Sequence, residues 1–302
     1  MIPGLFIVIV NWNLKDDTEG CIRSLERAGA YLGQIIVVDN GSIDESTNHL
    51  RGKFGPSLRI IELERNLGYA AAVNIGIREA FIEGVEWFLI LNNDTWVAED
   101  FFEVLFKAVN KYPKYAVFGP TIFYADYPDM VWYLGERVVP GTMLTINKYK
   151  GRVLPTGLPE VMPVDFLSGC AMLVKRQLFK DVGLLDTNFF MYGEEVDWCW
   201  RARRAGHRLA AVPDAFMWHK VSASSNRISS FARFLQVRNQ IWGYRRYGNR
   251  YHKLMLFIFT LFRILSIFLN EIRSGQTTLW RSSLEGWVAG WWHDIPPVSE
   301  FL

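Results

Sequence analysis

Trp87-Phe88-Leu89-Ile90-Leu91-Asn92-Asn93-Asp94-Thr95 passes from five apolar residues straight into a polar turn that carries a carboxylate. A short apolar run bounded by turn residues reads as a buried strand. Asp94 then falls at the carboxyl end of that strand, the edge where open α/β sheets bind ligands. A second acidic station, Gly193-Glu194-Glu195-Val196-Asp197, stands far along the chain at the start of a helical stretch. One carboxylate at a sheet rim and a separate acidic group suit a site that divides binding from proton chemistry.

Outward from residue 87 the pattern repeats. Leu5–Val10, Gln34–Val38, Leu58–Ile61 and Tyr115–Phe118 read as further strands. Asp17–Ala28, Asp44–Leu50, Ala70–Glu83 and Glu99–Lys111 read as the helices between them. Strands alternating with helices predict an α/β fold with a mostly parallel central sheet. Residues 121–160, rich in Tyr, Gly and Pro, have no clear period and read as a lid or binding wall. Asp165–Val174 returns a strand, 194 to about 205 a helix, and Arg208–Val212 a last strand before His219.

The chain has 302 residues, 50% of them apolar, enough for a substantial core. Its net charge of +2 hides an asymmetry. From Lys220 to Arg263 there are nine Lys/Arg and no Asp or Glu; the remainder carries 24 basic against 31 acidic residues. Such a split points one end toward an anionic surface. Cys21, Cys170 and Cys199 lack metal-ligand spacing and read as reduced packing residues. Leu5–Val10 is too short for a targeting segment, and the expected location is the cytoplasm.

Beyond residue 226 the sequence predicts a second unit, residues 226–302, appended to a main domain over 1–225. Leu254–Leu269 is apolar except for Thr260, Arg263 and Ser266. At sixteen residues it falls short of the ~20 a spanning helix needs, and Arg263 would lie near its middle. Four tryptophans follow at 280, 287, 291 and 292. A basic flank with tryptophans favours an interfacial helix on an anionic membrane surface, ahead of a homodimer-forming helix pair and of a span. A nucleic-acid partner fits the acidic remainder less well.

Several constellations carry chemistry. Val38-Asp39-Asn40-Gly41-Ser42 has the form of a strand, a turn and a helix cap, and Asp39 read alone suits an Asx-turn as well as a ligand contact. In Asn66-Leu67-Gly68-Tyr69-Ala70-Ala71-Ala72-Val73-Asn74, small residues at a helix start allow close backbone approach, and the helix N-terminus favours phosphates. Asn92-Asn93-Asp94 offers a hard divalent cation such as Mg²⁺ or Mn²⁺ only one carboxylate, and taken alone it reads better as a plain polar turn after a strand. On the helix from Glu194, residues 194, 197, 198 and 201 share one face, with Glu195 about 100° away. Asp197 and Arg201 then form a structural ion pair, leaving Glu194 or Glu195 to serve as a general base or merely to complement the helix dipole.

Together these segments, with Val10-Asn11-Trp12-Asn13, Phe166–Arg176, Phe189–Arg201 and Trp218-His219, resemble the inverting family-2 glycosyltransferases of the GT-A fold, in their rhamnosyltransferase-like branch. The likeness runs from about Leu5 to Asn249. It implies that Asp39 contacts the base of a nucleotide-sugar donor, with Asn11, Asn13, Asn40, Asn66, Gly68, Asn74 and Asn93 around it. It implies a divalent metal, Mn²⁺ or Mg²⁺, on Asp94 with His219 as a further ligand, and a catalytic base in the Glu194-Glu195 pair. The acceptor would be a lipid-linked saccharide of a cell-surface polysaccharide, reached from the inner face of the membrane. The rival readings are a non-catalytic nucleotide-sugar-binding module and a sugar nucleotidyltransferase. The latter would want a Gly-rich phosphate loop after the first strand, which Val10–Asn13 lacks.

Overall fold

The computed structural model describes residues 4–139, 142–221, 229–274 and 279–298. β1 (Leu5–Asn11), β2 (Ile35–Asp39), β3 (Arg59–Glu62) and β4 (Trp87–Asn92) pair in parallel in the order β3-β2-β1-β4. Three helices cross between them: α1 (Lys15–Arg27), α2 (Ser46–Phe54) and α3 (Tyr69–Phe81). β1 and β2 are buried along their whole length because helices cover both faces, which is why their sequences are continuous apolar runs. Alternate residues feed two cores, Ile7, Ile9, Leu89 and Leu91 on one face and Val8, Val38, Phe88 and Ile90 on the other.

Beyond β4 the sheet is mixed rather than parallel. After β5 (Thr95–Val97) and α4 (Phe101–Lys111), β6 (Val117–Tyr124) continues the sheet, but β11 (Ala171–Lys175) lies between β4 and β6, antiparallel to both. β12 (Leu209–His219) runs parallel to β6, and β10 (Met162–Val164) closes the edge. The segment without period folds as a wall of short pieces: β7 (Val131–Tyr133), β8 (Arg137–Val138) and β9 (Thr145–Ile146). Beyond β11 come α5 (Arg176–Val182) and α6 (Glu194–Arg204).

Two strand expectations change. Of Asp165–Val174 only the part from Ala171 is strand, since the Cys170 N–H donates to Ser168 Oγ at 3.2 Å and the Ala171 N–H to the Ser168 carbonyl at 3.2 Å, making a turn. The last strand runs on to His219. Its register shifts between Val212 and Phe216, because Pro213 has no N–H for the ladder.

Among the described residues, three helices follow: α7 (Ser230–Tyr247), α8 (Arg250–Ser274) and α9 (Leu279–Trp292). They share a small core of Val237, Ile241, Leu256, Ile264 and Trp287. Gly286 lets α9 lie against α7, since a Cβ there would meet the Phe234 carbonyl at 2.5 Å. The unit boundary expected at 225/226 falls in 222–228, outside the described residues.

Candidate active site

Asp39 ends β2 beside Asn11 at the end of β1, a pairing fixed by the parallel register. Its Oδ1 accepts from Asn11 Nδ2 at 2.6 Å and from the Ser42 hydroxyl at 2.5 Å, while Oδ2 accepts from the Ser42 N–H at 3.1 Å. Asp39 therefore does close its turn, as its sequence allowed. Oδ2 accepts one bond here, and a carboxylate oxygen can take a second. Asn11 is wholly buried, and its Oδ1 accepts from the Thr18 hydroxyl and from Asn93 Nδ2. Asn13, at φ 56°, accepts the Ile43 N–H on its side-chain oxygen. Asn40 holds the next loop by donating to Asn66 Oδ1 and the Gly68 carbonyl and accepting from the Leu67 N–H. The residues singled out in sequence thus tie three loops together at one sheet edge.

Asn74 is different. Its amide donates to the Leu185 carbonyl at 2.8 Å and accepts the Leu185 N–H at 3.0 Å, deep in the core. That reciprocal pair clamps α3 to the segment before α6 and occupies both ends of the Asn74 amide. Gly68, at φ 90°, opens α3, where a Cβ would lie 2.6 Å from Phe190.

Asp94 follows β4, and His219 ends β12. The pairing of β5 with β12 brings them together, and His219 Nε2 lies 3.1 Å from Asp94 Oδ1. Their side chains are 13% and 10% exposed, so both are reachable but largely desolvated. Burial opposes a charge on His219 and likewise raises the neighbouring Cys170 thiol, which keeps that thiol neutral. The Asp94 carboxylate is then the partner that raises the imidazole above its usual value. Among the described residues no group of three or more His, Cys, Asp or Glu is placed to hold a metal. Asp94 and His219 could provide two ligands, which would suit a cation that completes its shell with substrate phosphates and water.

Glu194 and Glu195 open α6 but diverge. Glu194 is buried, and its Oε2 has no hydrogen-bond partner. Burial first, then the neighbouring Glu195, pushes its carboxyl well above the usual range. Glu195 lines a cavity of about 210 Å³ with Trp132, Tyr133, Asn147, Lys150 and Phe166. Burial raises Glu195 as well, while the Gly193 N–H, donating to its Oε2 at 3.1 Å, works the other way. Asp197 forms the expected pair with Arg201, at 2.9 Å. Cys199 is buried packing.

Two aromatic residues of the site went unmarked in the sequence. Tyr69, the first residue of α3, donates its hydroxyl to the Gly169 carbonyl at 2.8 Å. Its phenol is raised well above normal, chiefly by burial. Trp132 meets His219 edge-on, 4.7 Å between ring centroids, and also lines the Glu195 cavity. The one available signal was the unperiodic, aromatic-rich stretch 121–160. A larger recess between α2 and β3, lined by Arg51, Pro56 and Ile60, holds none of these groups.

A parallel half-sheet edged by a turn network, joined to a mixed half that walls a carboxylate-bearing cavity, defines a GT-A-type transferase. The model of the family "Glycosyl transferase family 2" matches residues 6–183, and the chain belongs to that family. It is 28% identical over 249 residues to the N-acetylglucosaminyl-diphospho-decaprenol L-rhamnosyltransferase of Mycobacterium tuberculosis, covering 75% of this chain and 79% of that one. It is 27% identical to the dTDP-rhamnosyl transferase RfbF of Shigella flexneri over 79% of each chain. A hexosyltransferase of low-salt glycan biosynthesis from Haloferax volcanii is 26% identical over 80% of this chain and 75% of its own. Among solved structures, GalNAc-T7 with UDP, GalNAc and Mn²⁺ superposes at a TM-score of 0.60 and 17% identity, over 82% of this chain and 49% of that one. The mannosyltransferase PcManGT of Pyrobaculum calidifontis, with GDP-Man and Mn²⁺, does so at 0.55 and 14%, over 96% and 87%. These structural likenesses bear on the fold.

Proposed function

We propose that this glycosyltransferase is an inverting enzyme. In this reading it moves a sugar from a UDP- or dTDP-linked donor, dTDP-rhamnose first among them, to a hydroxyl of a lipid-linked saccharide in cell-surface polysaccharide synthesis. The observation that carries the reading is Trp132, which contacts His219 on the donor side and walls the cavity that holds Glu195. One side chain joins the place for a leaving diphosphate to the place for an attacking hydroxyl.

The acceptor ring enters against Trp132, Tyr133 and Phe166, whose apolar faces exclude water. Glu195 takes the proton of the acceptor hydroxyl as its oxygen attacks the anomeric carbon from the face opposite the diphosphate. The bond from that carbon to the diphosphate breaks, and its electron pair leaves with the phosphate oxygen. Glu194, with the more strongly raised carboxyl, stays protonated beside the base. Asp39 accepts from the nucleotide base through Oδ2. Asp94 and His219 would hold the divalent metal, which when bound screens charge developing on the leaving group. Lys150, exposed at the cavity, supplies a cation for an acceptor's own diphosphate. The printed name of the mycobacterial relative, with its diphospho-decaprenol, supports such an acceptor.

The C-terminal helices supply the membrane contact in this account, on the cytoplasmic face. Among the described residues one helix, Arg250–Glu271, is long and apolar enough to cross a membrane, and only 22% of its most apolar stretch is buried. Leu254, Phe259, Phe262, Leu265 and Leu269 are exposed on it. Arg250, Arg263 and Arg273 are exposed along the same helix, so anionic lipid complements its charge. A span would bury Arg263 mid-bilayer, whereas an interfacial pose leaves it among headgroups.

The test is nucleoside diphosphate release from a panel of UDP- and dTDP-sugars, with Mn²⁺, Mg²⁺ or EDTA, with and without polyprenyl-diphosphate-linked saccharide. Metal-dependent release from one donor, faster with lipid acceptor and giving an inverted glycoside, is expected. Retention of configuration, or donor binding without turnover on any acceptor, overturns the proposal.

A further inference from the structure

The loop that delivers the Glu194-Glu195 pair is held in a conformation its own residues do not favour. Phe190 has φ 65°, Tyr192 φ 68° and Gly193 φ 93°. Aromatic residues rarely adopt left-handed backbone, and such a loop persists only where its surroundings over-determine it. On one side the Ala70 N–H donates to the Phe190 carbonyl at 3.3 Å. On the other side α7 does the holding. Asn239, buried on α7, places Nδ2 within hydrogen-bond distance of the carbonyls of Phe189 at 3.0 Å, Met191 at 2.9 Å and Tyr192 at 2.7 Å, its two hydrogens shared among the three with Tyr192 the shortest. Its amide cannot flip, because Arg238 Nε donates to Asn239 Oδ1 at 2.8 Å. Arg238 Nη2 extends the same grip to the Asn188 and Phe189 carbonyls.

The peptide held last leads directly to the base. The Tyr192 carbonyl belongs to the same peptide unit as the Gly193 N–H, and that N–H donates to Glu195 Oε2 at 3.1 Å. Gly193 also lies against Asn239, where a Cβ would be 3.5 Å from the Asn239 Cβ. We propose that Asn239 is a positioning residue for Glu195: the first C-terminal helix orients the Tyr192–Gly193 peptide, and that peptide orients the carboxylate in the acceptor cavity. The inference rests on Glu195 being the base. It makes α7 part of the catalytic apparatus, in addition to any docking role of α8 and α9.

The pH–rate profile is the readout that a purely structural role would not move. Glu194 and Glu136 are the acids facing Glu195, Lys150 shares its cavity, and the phenols of Tyr69 and Tyr133 and the thiol of Cys199 adjoin it. None of these groups is altered by changing Asn239. The Gly193 N–H favours the ionised form of Glu195, so losing its aim moves the acid limb of kcat to higher pH.

The experiment compares wild type, Asn239→Ala, Asn239→Asp, Glu195→Gln and the double variant Glu195→Gln/Asn239→Ala in the full chain. It uses the donor and acceptor found by the release assay, with nucleoside diphosphate affinity read by calorimetry. The expected result is a kcat lower by ~10–100-fold, by analogy with the loss of a hydrogen bond that orients a metal ligand. The acid limb moves up, nucleotide affinity is unchanged, and the double variant is no slower than Glu195→Gln alone. Wild-type kcat and acid limb in both Asn239 variants, or losses in nucleotide affinity and kcat together, overturn the inference. So does a double variant slower than Glu195→Gln by the full Asn239 factor. A Glu195→Gln enzyme with wild-type turnover removes the base assignment itself, which separates the two failures. Should the Asn239 variants not fold, Arg238→Gln, which frees the amide but keeps it, decides by the same kcat and acid-limb criteria.

Discussion

Arg246 of α7 reaches Asp197 of α6, with its Nη1 2.7 Å from Asp197 Oδ1. The same nitrogen lies 2.7 Å from Asp186, in the segment that leads to the Glu194 loop. Both carboxylates are fully buried and the guanidinium nearly so. Tyr247 donates its hydroxyl to the same Asp197 oxygen at 2.7 Å. The C-terminal helices are thereby fastened to α6, the helix that carries Glu194 and Glu195, through charge that water does not screen.

Arg246→Met keeps much of the volume and removes the cation. Breaking a buried pair by deleting one partner costs ~3–5 kcal/mol. Arg201 and Tyr247 remain on Asp197, so the lower end, ~3 kcal/mol, is expected from chemical denaturation. A change within ±0.5 kcal/mol would show that the bridge contributes nothing to holding α7 in place.

Glu194 sets a pH dependence of stability. Its folded carboxyl is raised by burial and by Glu195, so the native state holds a proton that the unfolded chain gives up near its ordinary value. That costs stability progressively as pH rises from the ordinary carboxylate range through the raised folded value, and the cost is complete above it. Glu194→Gln should therefore raise Tm at neutral and higher pH and change it little near pH 4. An equal effect at both ends of a melting series from pH 4 to 8 contradicts the buried, protonated assignment.

Much of this arrangement is legible in the sequence. The apolar runs fixed where β1, β2 and β4 end, and the polar residues after them meet at one edge because parallel strands end together. The antiparallel insertion of β11 was not legible, since an apolar run does not carry strand direction. Asn74 and Leu185 are 111 residues apart, and nothing local in either reports their reciprocal hydrogen bonds. Asn239 escaped notice for the same reason: within a helix of arginines and aromatics it looks like an ordinary surface amide. Trp132 lay in the stretch read as a binding wall, yet its contact with His219 depends on where β7 and β12 meet β6. Asp94 and His219 were expected together from the family resemblance, and the β5–β12 ladder is what brings their side chains within 3.1 Å of each other.

Asp94→Asn removes the carboxylate of the proposed metal site. Acceptor-dependent transfer should fall by at least ~10²-fold, the scale for losing one stabiliser of transition-state charge. His219→Gln should fall less and should need more Mn²⁺ for half-maximal rate. The check is a metal titration of nucleoside diphosphate release after EDTA treatment. Wild-type metal dependence in Asp94→Asn would place the cation elsewhere.

Phe259→Asp/Phe262→Asp puts two charges on the exposed face of α8, where Phe262 is 67% exposed. Co-sedimentation with anionic vesicles should be lost while the melting temperature stays near wild type. Binding by the wild type should weaken with salt, because each Lys/Arg near such a surface contributes ~1 kcal/mol and is screened. Undiminished sedimentation of the double variant contradicts the membrane assignment, and a wild-type dimer that dissociates on substitution redirects the face to a second copy of the chain.

The most direct test of the central claim is the acceptor-dependent transfer rate of Glu195→Gln beside Glu194→Gln, with pH as the second axis. Glu195→Gln should lose ~10²–10⁴-fold, the usual worth of a general base. Glu194→Gln should keep most of its activity, and wild-type kcat should rise with pH through an acid limb above the ordinary carboxylate range, as burial of Glu195 requires. Loss of turnover in Glu194→Gln with Glu195→Gln near wild type would contradict the account and move the base to the other carboxylate.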